Sequence, residues 1–71
     1  MDRFCITKLP QEGARNVVHR VACIHAPPFP ARLDLGYFRD CYSAVCEARQ
    51  FHDKVMGCRH CIPCCHRLEA G

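Results

Sequence analysis

A chain of 71 residues is long enough for one small domain, here residues 1–71, but a core of this size supplies only roughly 3–5 kcal/mol of net stability. Eight cysteines are about a tenth of the residues, a fraction typical of scaffolds held together by disulfides or a metal ion. The formal net charge is +3, and a four-thiolate zinc site would lower it to about +1, so overall charge gives little support to nucleic-acid binding.

The choice between disulfides and a metal depends on the compartment. Met1 is followed at once by Asp2 and Arg3 instead of an apolar leader. No stretch approaches the roughly 20 apolar residues of a membrane span. The sequence therefore predicts a cytoplasmic protein without membrane contact, in which clustered cysteines stay reduced and act as metal ligands.

The first segment is expected to form a β-hairpin. Residues 4–9 are rich in apolar and β-favouring types, and residues 10–13 (Pro-Gln-Glu-Gly) have turn chemistry. Residues 16–25 read as a second strand. Its alternation places His19, Cys23 and His25 on one face.

Residues 26–36 are expected to be a connection without regular structure. Pro27, Pro28 and Pro30 argue against both a helix and the interior of a sheet. They favour a stiff, extended crossover around Phe29.

The third segment predicts one long amphipathic helix over residues 37–56. Residues of its apolar side recur at spacings of three and four residues, so they fall within an arc of about 100° around the helix, the width of a buried stripe. They are Phe38, Cys41, Val45, Ala48, His52 and Val55. Asp34 could cap the helix start, and Gly57 stands where a left-handed residue often ends a helix. The predicted fold class is therefore α+β: a β-hairpin, one long helix and a C-terminal cysteine-rich metal knuckle.

The metal knuckle follows Gly57. Two thiolates separated by two residues can bind one metal ion, because a tight turn brings both sulfurs about 2.3 Å from it. Overlapping pairs of this spacing predict a local structural zinc site with four ligands: Cys58, Cys61, Cys64 and Cys65.

Other ligand sets remain open. His66 could replace one of the four thiolates, and Cys5, Cys23 and His25 could form a second site. A continuous helix would hold Cys41 roughly 25 Å from Cys58, so these two could not share an ion. His19 and His52 are expected to be core or surface histidines instead of ligands.

The predicted function is that of a small zinc-binding, non-catalytic interaction or regulatory protein, since four protein ligands leave zinc no open position. The partner would be a protein or a nucleic acid, and Lys54, Arg59, His60 and Arg67 could contact phosphates. A homodimer could cover the helix stripe. The sequence carries none of the common catalytic motifs, so an enzyme is not expected.

Two alternatives come from other classes. Cys58, Cys61 and Cys64 have the three-thiol spacing of a [4Fe–4S] site, although the following cysteine stands too close. This alternative is an iron–sulfur, metal-handling or redox protein. The other is a secreted inhibitor or toxin held together by disulfides.

Overall fold

The architecture is a four-stranded mixed sheet with one short helix packed against it. The computed structural model describes residues 1–11 and 14–65, without the side chain of Cys64. The strands are β1 (Asp2–Thr7), β2 (Asn16–Arg20), β3 (Arg32–Phe38) and β4 (Val55–Gly57), in the order β3-β1-β2-β4. Helix α1 spans Cys41–Ala48, and a 3-10 helix spans Pro63–Cys65. The α+β class predicted from the sequence is confirmed.

The expected hairpin is present, and its second strand is shorter than predicted. β1 and β2 pair antiparallel, with Cys5 opposite His19 and Ile6 opposite Val18. β2 ends at Arg20, where two successive turns begin: the Cys23 amide donates to the Arg20 carbonyl at 2.9 Å, and the Ala26 amide to the Cys23 carbonyl at 3.1 Å. Cys23 therefore lies in a turn beyond the strand.

The expectation of an irregular connection over residues 26–36 is wrong for its second half. The three prolines stay outside the strands, but β3 begins at Arg32 and pairs antiparallel with β1. Pairing with β1 satisfies backbone groups along an edge of the sheet, where half-buried residues such as Leu33 and Leu35 are tolerated.

The long helix predicted over residues 37–56 is also wrong, because helix α1 has only eight residues. Asp40 caps its start by accepting a hydrogen bond from the Ser43 amide at 2.8 Å. After Ala48 the backbone changes to hydrogen bonds of the 3-10 type, in which the amides of Gln50 and Phe51 donate to carbonyls three residues earlier.

Four residues of the apolar stripe that suggested one helix are buried and two, Phe38 and His52, are half-buried, but the stripe is divided among separate elements. Cys41, Val45 and Ala48 face the core from α1, whereas Phe38 belongs to β3 and Val55 to β4. The three-residue strand β4 pairs with β2 and forms hydrogen bonds with it that a longer helix could not form. Tertiary pairing therefore overrides the helical periodicity of the sequence.

β4 determines where the C-terminal segment begins. It runs parallel to β2, with Val17 opposite Met56 and Val18 opposite Gly57. The Cys58 amide then donates to the Val18 carbonyl at 2.9 Å. The cysteine-rich segment consequently begins beside the last residues of β2.

Candidate metal centre

Four potential ligands from the two halves of the chain converge next to the end of β2. The ligand atoms of His19, Cys23, Cys58 and Cys61 all lie within 4.8 Å of one another. We call these four residues the cysteine–histidine cluster. It can hold a metal ion.

Each ligand is positioned by a local backbone feature. His19 stands on β2, and the turns after Arg20 fold Cys23 back toward it. Cys58 follows β4 directly, and the Ile62 amide donates to the Cys58 carbonyl at 3.0 Å, which closes the turn that returns Cys61 toward Cys58. Ile62 is fully buried and anchors this turn in the core.

The spacing of the sulfur atoms suits a tetrahedral ion. Zinc–sulfur bonds of about 2.3 Å place two sulfurs of a tetrahedral site about 3.8 Å apart. The Sγ atoms of Cys23 and Cys58 are 3.9 Å apart. Contraction by about 1 Å would bring even the most distant pair to this spacing.

A backbone amide donates a hydrogen bond to each of the three sulfurs of the cysteine–histidine cluster. The Arg20 amide donates to Cys61 Sγ at 3.3 Å, the His25 amide to Cys23 Sγ at 3.4 Å and the His60 amide to Cys58 Sγ at 3.4 Å. Hydrogen bonds to a charged sulfur stabilise it more than hydrogen bonds to a neutral one. The surroundings are therefore arranged for thiolates.

His19 has one engaged and one unengaged ring nitrogen. Its Nε2 lies 2.6 Å from Oε1 of Gln11, so this nitrogen donates to the amide oxygen. Its Nδ1 is buried and has no hydrogen-bond partner among the residues the structure describes. A buried polar atom without a partner is costly, and a metal ion would satisfy it. Metal-bound histidines commonly donate their second nitrogen in this way.

The pKa of His19 keeps its ring in the form that binds metals. Burial, together with smaller repulsion from His25 and His60, lowers this pKa to about 4. The imidazole is therefore neutral at physiological pH, as a metal ligand must be.

Cys61 needs a cation to ionise. Burial, with smaller contributions from neighbouring Cys23 and Cys58, raises the pKa of its thiol to about 12 despite the hydrogen bond from the Arg20 amide, which lowers the pKa. A bound divalent cation deprotonates a coordinating thiol outright.

Arg20 holds the two halves of the cluster together. Besides its amide contact, its Nε donates to the Cys61 carbonyl at 3.1 Å. Its guanidinium also forms an ion pair with Asp2 and lies 5.6 Å from the centre of the Phe4 ring. These contacts anchor the Arg20 side chain next to the backbone of Cys61.

The four ligands predicted from the sequence are placed in different surroundings. Cys58 and Cys61 lie in the cysteine–histidine cluster, whereas Cys65 forms a disulfide with Cys41, with 6.5 Å between their Cα atoms. The side chain of Cys64 and all of His66 lie outside the described residues.

The second predicted set, Cys5, Cys23 and His25, is also divided. Cys23 belongs to the cluster, and His25 contacts it through its amide. Cys5 is buried on β1 opposite His19, and burial raises the pKa of its thiol. Its sulfur is outside the group of four ligand atoms found among the described residues.

His19 is the residue that sequence reasoning missed. Its position four residues before Cys23, on the same predicted strand face, was the signal that could have identified it. The pairing of the two with Cys58 and Cys61 depends on the parallel β2–β4 contact, which no sequence pattern indicated.

The comparisons with known proteins add no relative. No protein-family model, curated protein or solved structure matches this chain. In the described part of the chain, no helix has the length and apolar character needed to cross a membrane.

Proposed function

We propose that the protein is a small, non-catalytic zinc-binding domain whose ion is held by His19, Cys23, Cys58 and Cys61. The observation that carries this proposal is the convergence of four ligand atoms within 4.8 Å, one of them on a buried histidine with an unpartnered nitrogen. Three thiolates and one imidazole are a common set for structural zinc.

The ligand chemistry favours zinc over harder cations. Soft thiolates in a tetrahedral arrangement select zinc or an iron–sulfur cluster, whereas magnesium and calcium prefer oxygen ligands. With four protein ligands the ion has no open position for substrate, so its role is structural. The site would carry one net negative charge, next to an Arg20 side chain that also pairs with Asp2.

The zinc would serve an interaction or regulatory function in the cytoplasm. Tyr37, Tyr42 and Phe51 are exposed aromatic residues, and aromatic side chains are enriched where proteins bind proteins. This observation favours a protein partner, and a nucleic acid is the alternative. Five described cysteines carry free thiols and are available as metal ligands, whereas Cys41 and Cys65 are joined in a disulfide.

Native mass spectrometry of the protein after zinc loading tests the proposal. We expect one zinc ion per chain, and we expect Cys23→Ser to weaken zinc binding at least about 100-fold, since even residues that only orient a ligand contribute 10- to 100-fold. Cys46→Ser is the matched control, because Cys46 is an exposed free cysteine outside the cluster. A chain that takes up no zinc, or a Cys23→Ser variant of unchanged affinity, would refute the proposal.

Cys64→Ser separates this ligand set from the one predicted by spacing alone. The proposed set of four ligands is complete without Cys64, whose side chain lies outside the described part of the chain, so zinc affinity should be unchanged in this variant. Loss of zinc from Cys64→Ser with retention in Cys23→Ser would restore the local C-terminal site. Visible absorption bands in the protein as isolated would instead identify an iron–sulfur cluster.

A further inference from the structure

Two cysteines of the cluster lie in contact although they come from distant parts of the chain. Cys23 and Cys58 are 35 positions apart in sequence, and their Sγ atoms are 3.9 Å apart. A disulfide holds its sulfurs about 2.05 Å apart, so its formation requires an approach of roughly 1.9 Å. Side-chain rotation of the two cysteines can supply an approach of this size. The pair is therefore placed for disulfide formation.

Both sulfurs can be reached by a small oxidant. Cys23 is half-buried in the turns that follow β2. Cys58 lines a pocket of about 310 Å³ whose wall includes the exposed His25, so the pocket opens to solvent. The amides that donate to these two sulfurs stabilise thiolates, and the thiolate is the form of cysteine that reacts.

We propose that Cys23 and Cys58 are an oxidative modification site, at which hydrogen peroxide joins the two sulfurs in a disulfide and the cluster loses its zinc. Peroxide attacks the cysteine that is more accessible, which is Cys23, because Cys58 is only 3% exposed. Cys58 then acts as the resolving thiol.

The reaction proceeds in two displacements. The Cys23 thiolate attacks one peroxide oxygen, so that a sulfur–oxygen bond forms, the oxygen–oxygen bond breaks and hydroxide leaves. The Cys58 thiolate next attacks the sulfur of the resulting sulfenic acid, so that the disulfide forms and a second hydroxide leaves. Each hydroxide takes up a proton. The two sulfurs supply two electrons in total, which reduce one peroxide to two water molecules.

Disulfide formation and zinc binding exclude each other because both use the same two sulfurs. Cys23 and Cys58 provide two of the four candidate ligand atoms. In the oxidised protein only His19 and Cys61 remain, and two ligands do not complete the tetrahedral set of zinc. Loss of zinc therefore rests on the proposed function, whereas formation of the disulfide does not.

The modification exchanges one cross-link for another. The disulfide would join the turns after β2 to the residue that follows β4, which are the segments that the zinc ion would also join. The C-terminal segment thus stays attached while the metal leaves, and a thiol reductant can reverse the change. Reversibility separates this site from oxidative damage.

Tryptic mapping of the reduced, metal-free protein after peroxide treatment and thiol blocking is the first test. Cleavage after Lys54 and Arg59 releases residues 55–59, in which Cys58 is the only cysteine. Residues 21–32 likewise contain only Cys23. We expect these two peptides to be recovered linked to each other.

Zinc release from the loaded protein is the second test. A chromophoric chelator should detect one zinc ion released for each disulfide formed. The oxidised protein should bind zinc at least about 100-fold more weakly than the reduced protein, because even residues that only orient a ligand contribute 10- to 100-fold. Dithiothreitol should restore the affinity.

Three serine variants separate oxidation from metal binding. Cys61→Ser should lose zinc affinity and still form the disulfide, because Cys61 belongs to the cluster but not to the oxidised pair. Cys58→Ser should lose both properties. Cys46→Ser is the matched control and should keep both, since Cys46 is an exposed free cysteine outside the cluster.

The outcomes distinguish this inference from the proposed function. Residues 55–59 linked to residues 60–67, no link to residues 21–32, or a linked protein that keeps its zinc would overturn the oxidation site and leave the zinc domain intact. A reduced wild type that binds no zinc but yields the expected linked peptides would refute the proposed function and still support the oxidation site.

Discussion

At the scale of single residues, Gln11 connects the metal centre to the hairpin turn. Its Oε1 accepts from His19 Nε2, and its Nε2 donates to the His25 carbonyl at 3.2 Å. One amide therefore fixes the tautomer of His19, the buried candidate ligand, and the position of the His25 backbone. Gln11 is not one of the four proposed ligands, so its role in the proposed site is that of a positioning residue.

Replacing Gln11 by Leu should weaken zinc binding by about 10- to 100-fold, because residues that orient a ligand contribute that much. The reason is the loss of the acceptor that keeps Nδ1 of His19 unprotonated and directed at the ion. Competition with a chromophoric chelator measures the affinity. Gln11→Glu keeps an acceptor oxygen, so this control variant should retain most of the zinc affinity. Equal zinc affinity in the wild type and Gln11→Leu would contradict the positioning role.

The residues of the site were only partly predictable from sequence. Paired spacing was enough to select Cys58 and Cys61, because two residues between thiols is a local property of a turn. His19 and Cys23 were predicted to share a strand face, but Cys23 lies in a turn beyond β2, and the link of both residues to Cys58 is a contact between distant parts of the chain. Nothing in the spacing distinguished Cys65, a disulfide partner of Cys41, from a ligand.

At the scale of elements, the close approach of β4 to the 3-10 helix depends on Gly57. A Cβ at this position would lie 2.7 Å from the Cβ of Cys65 and 2.9 Å from its carbonyl carbon. Atoms of the backbone cannot yield as the end of a flexible side chain can. Glycine is therefore required here by packing, although the sequence suggested that it ends a helix.

Gly57→Ala should consequently destabilise the protein by about 1–3 kcal/mol, the usual cost of overpacking a core. It should also weaken zinc binding, because Cys58 is the next residue. Urea unfolding of the zinc-loaded protein measures the first effect. Gly36→Ala is the comparison: its φ is +97° but there is open space around it, so it should lose stability through backbone strain alone and keep zinc affinity. Equal effects of the two variants on zinc affinity would contradict the packing argument.

The elements themselves were predictable to the extent that they depend on local signals. The hairpin followed from alternation and turn residues, and the α+β class was confirmed. The long helix failed because a stripe at spacings of three and four residues does not reveal that Val55 pairs with β2 while Val45 remains helical. β3 was missed because three prolines precede it and its residues are only half-buried.

At the scale of the whole molecule, two cross-links of different chemistry attach the C-terminal segment. The proposed zinc would connect Cys58 and Cys61 to β2 and the turns after it, whereas the disulfide connects Cys65 to the start of helix α1. The candidate metal site and the disulfide share no residue, so we expect that either cross-link can be removed by substitution while the other is kept.

The double variant Cys41→Ala/Cys65→Ala should lower the free energy of unfolding by about 3–4 kcal/mol under oxidising conditions, as expected for a cross-link between residues 24 apart in sequence. Zinc stoichiometry should stay at one ion per chain. Urea unfolding with and without a thiol reductant measures the effect. Under reductant the wild type should lose most of its advantage, and an advantage that persists unchanged would show that the disulfide is not its source.

The parallel contact between β2 and β4 has a consequence for how the chain is made. The ribosome delivers His19 and Cys23 first, and Cys58 follows Cys23 only 35 residues later. A nascent polypeptide thus carries half of the candidate ligand set until Cys58 and Cys61 emerge, and a metal ion can be held by all four only after that. The same arrangement should let two peptides, divided in the proline-rich crossover, reassemble in the presence of zinc and separate when it is withdrawn.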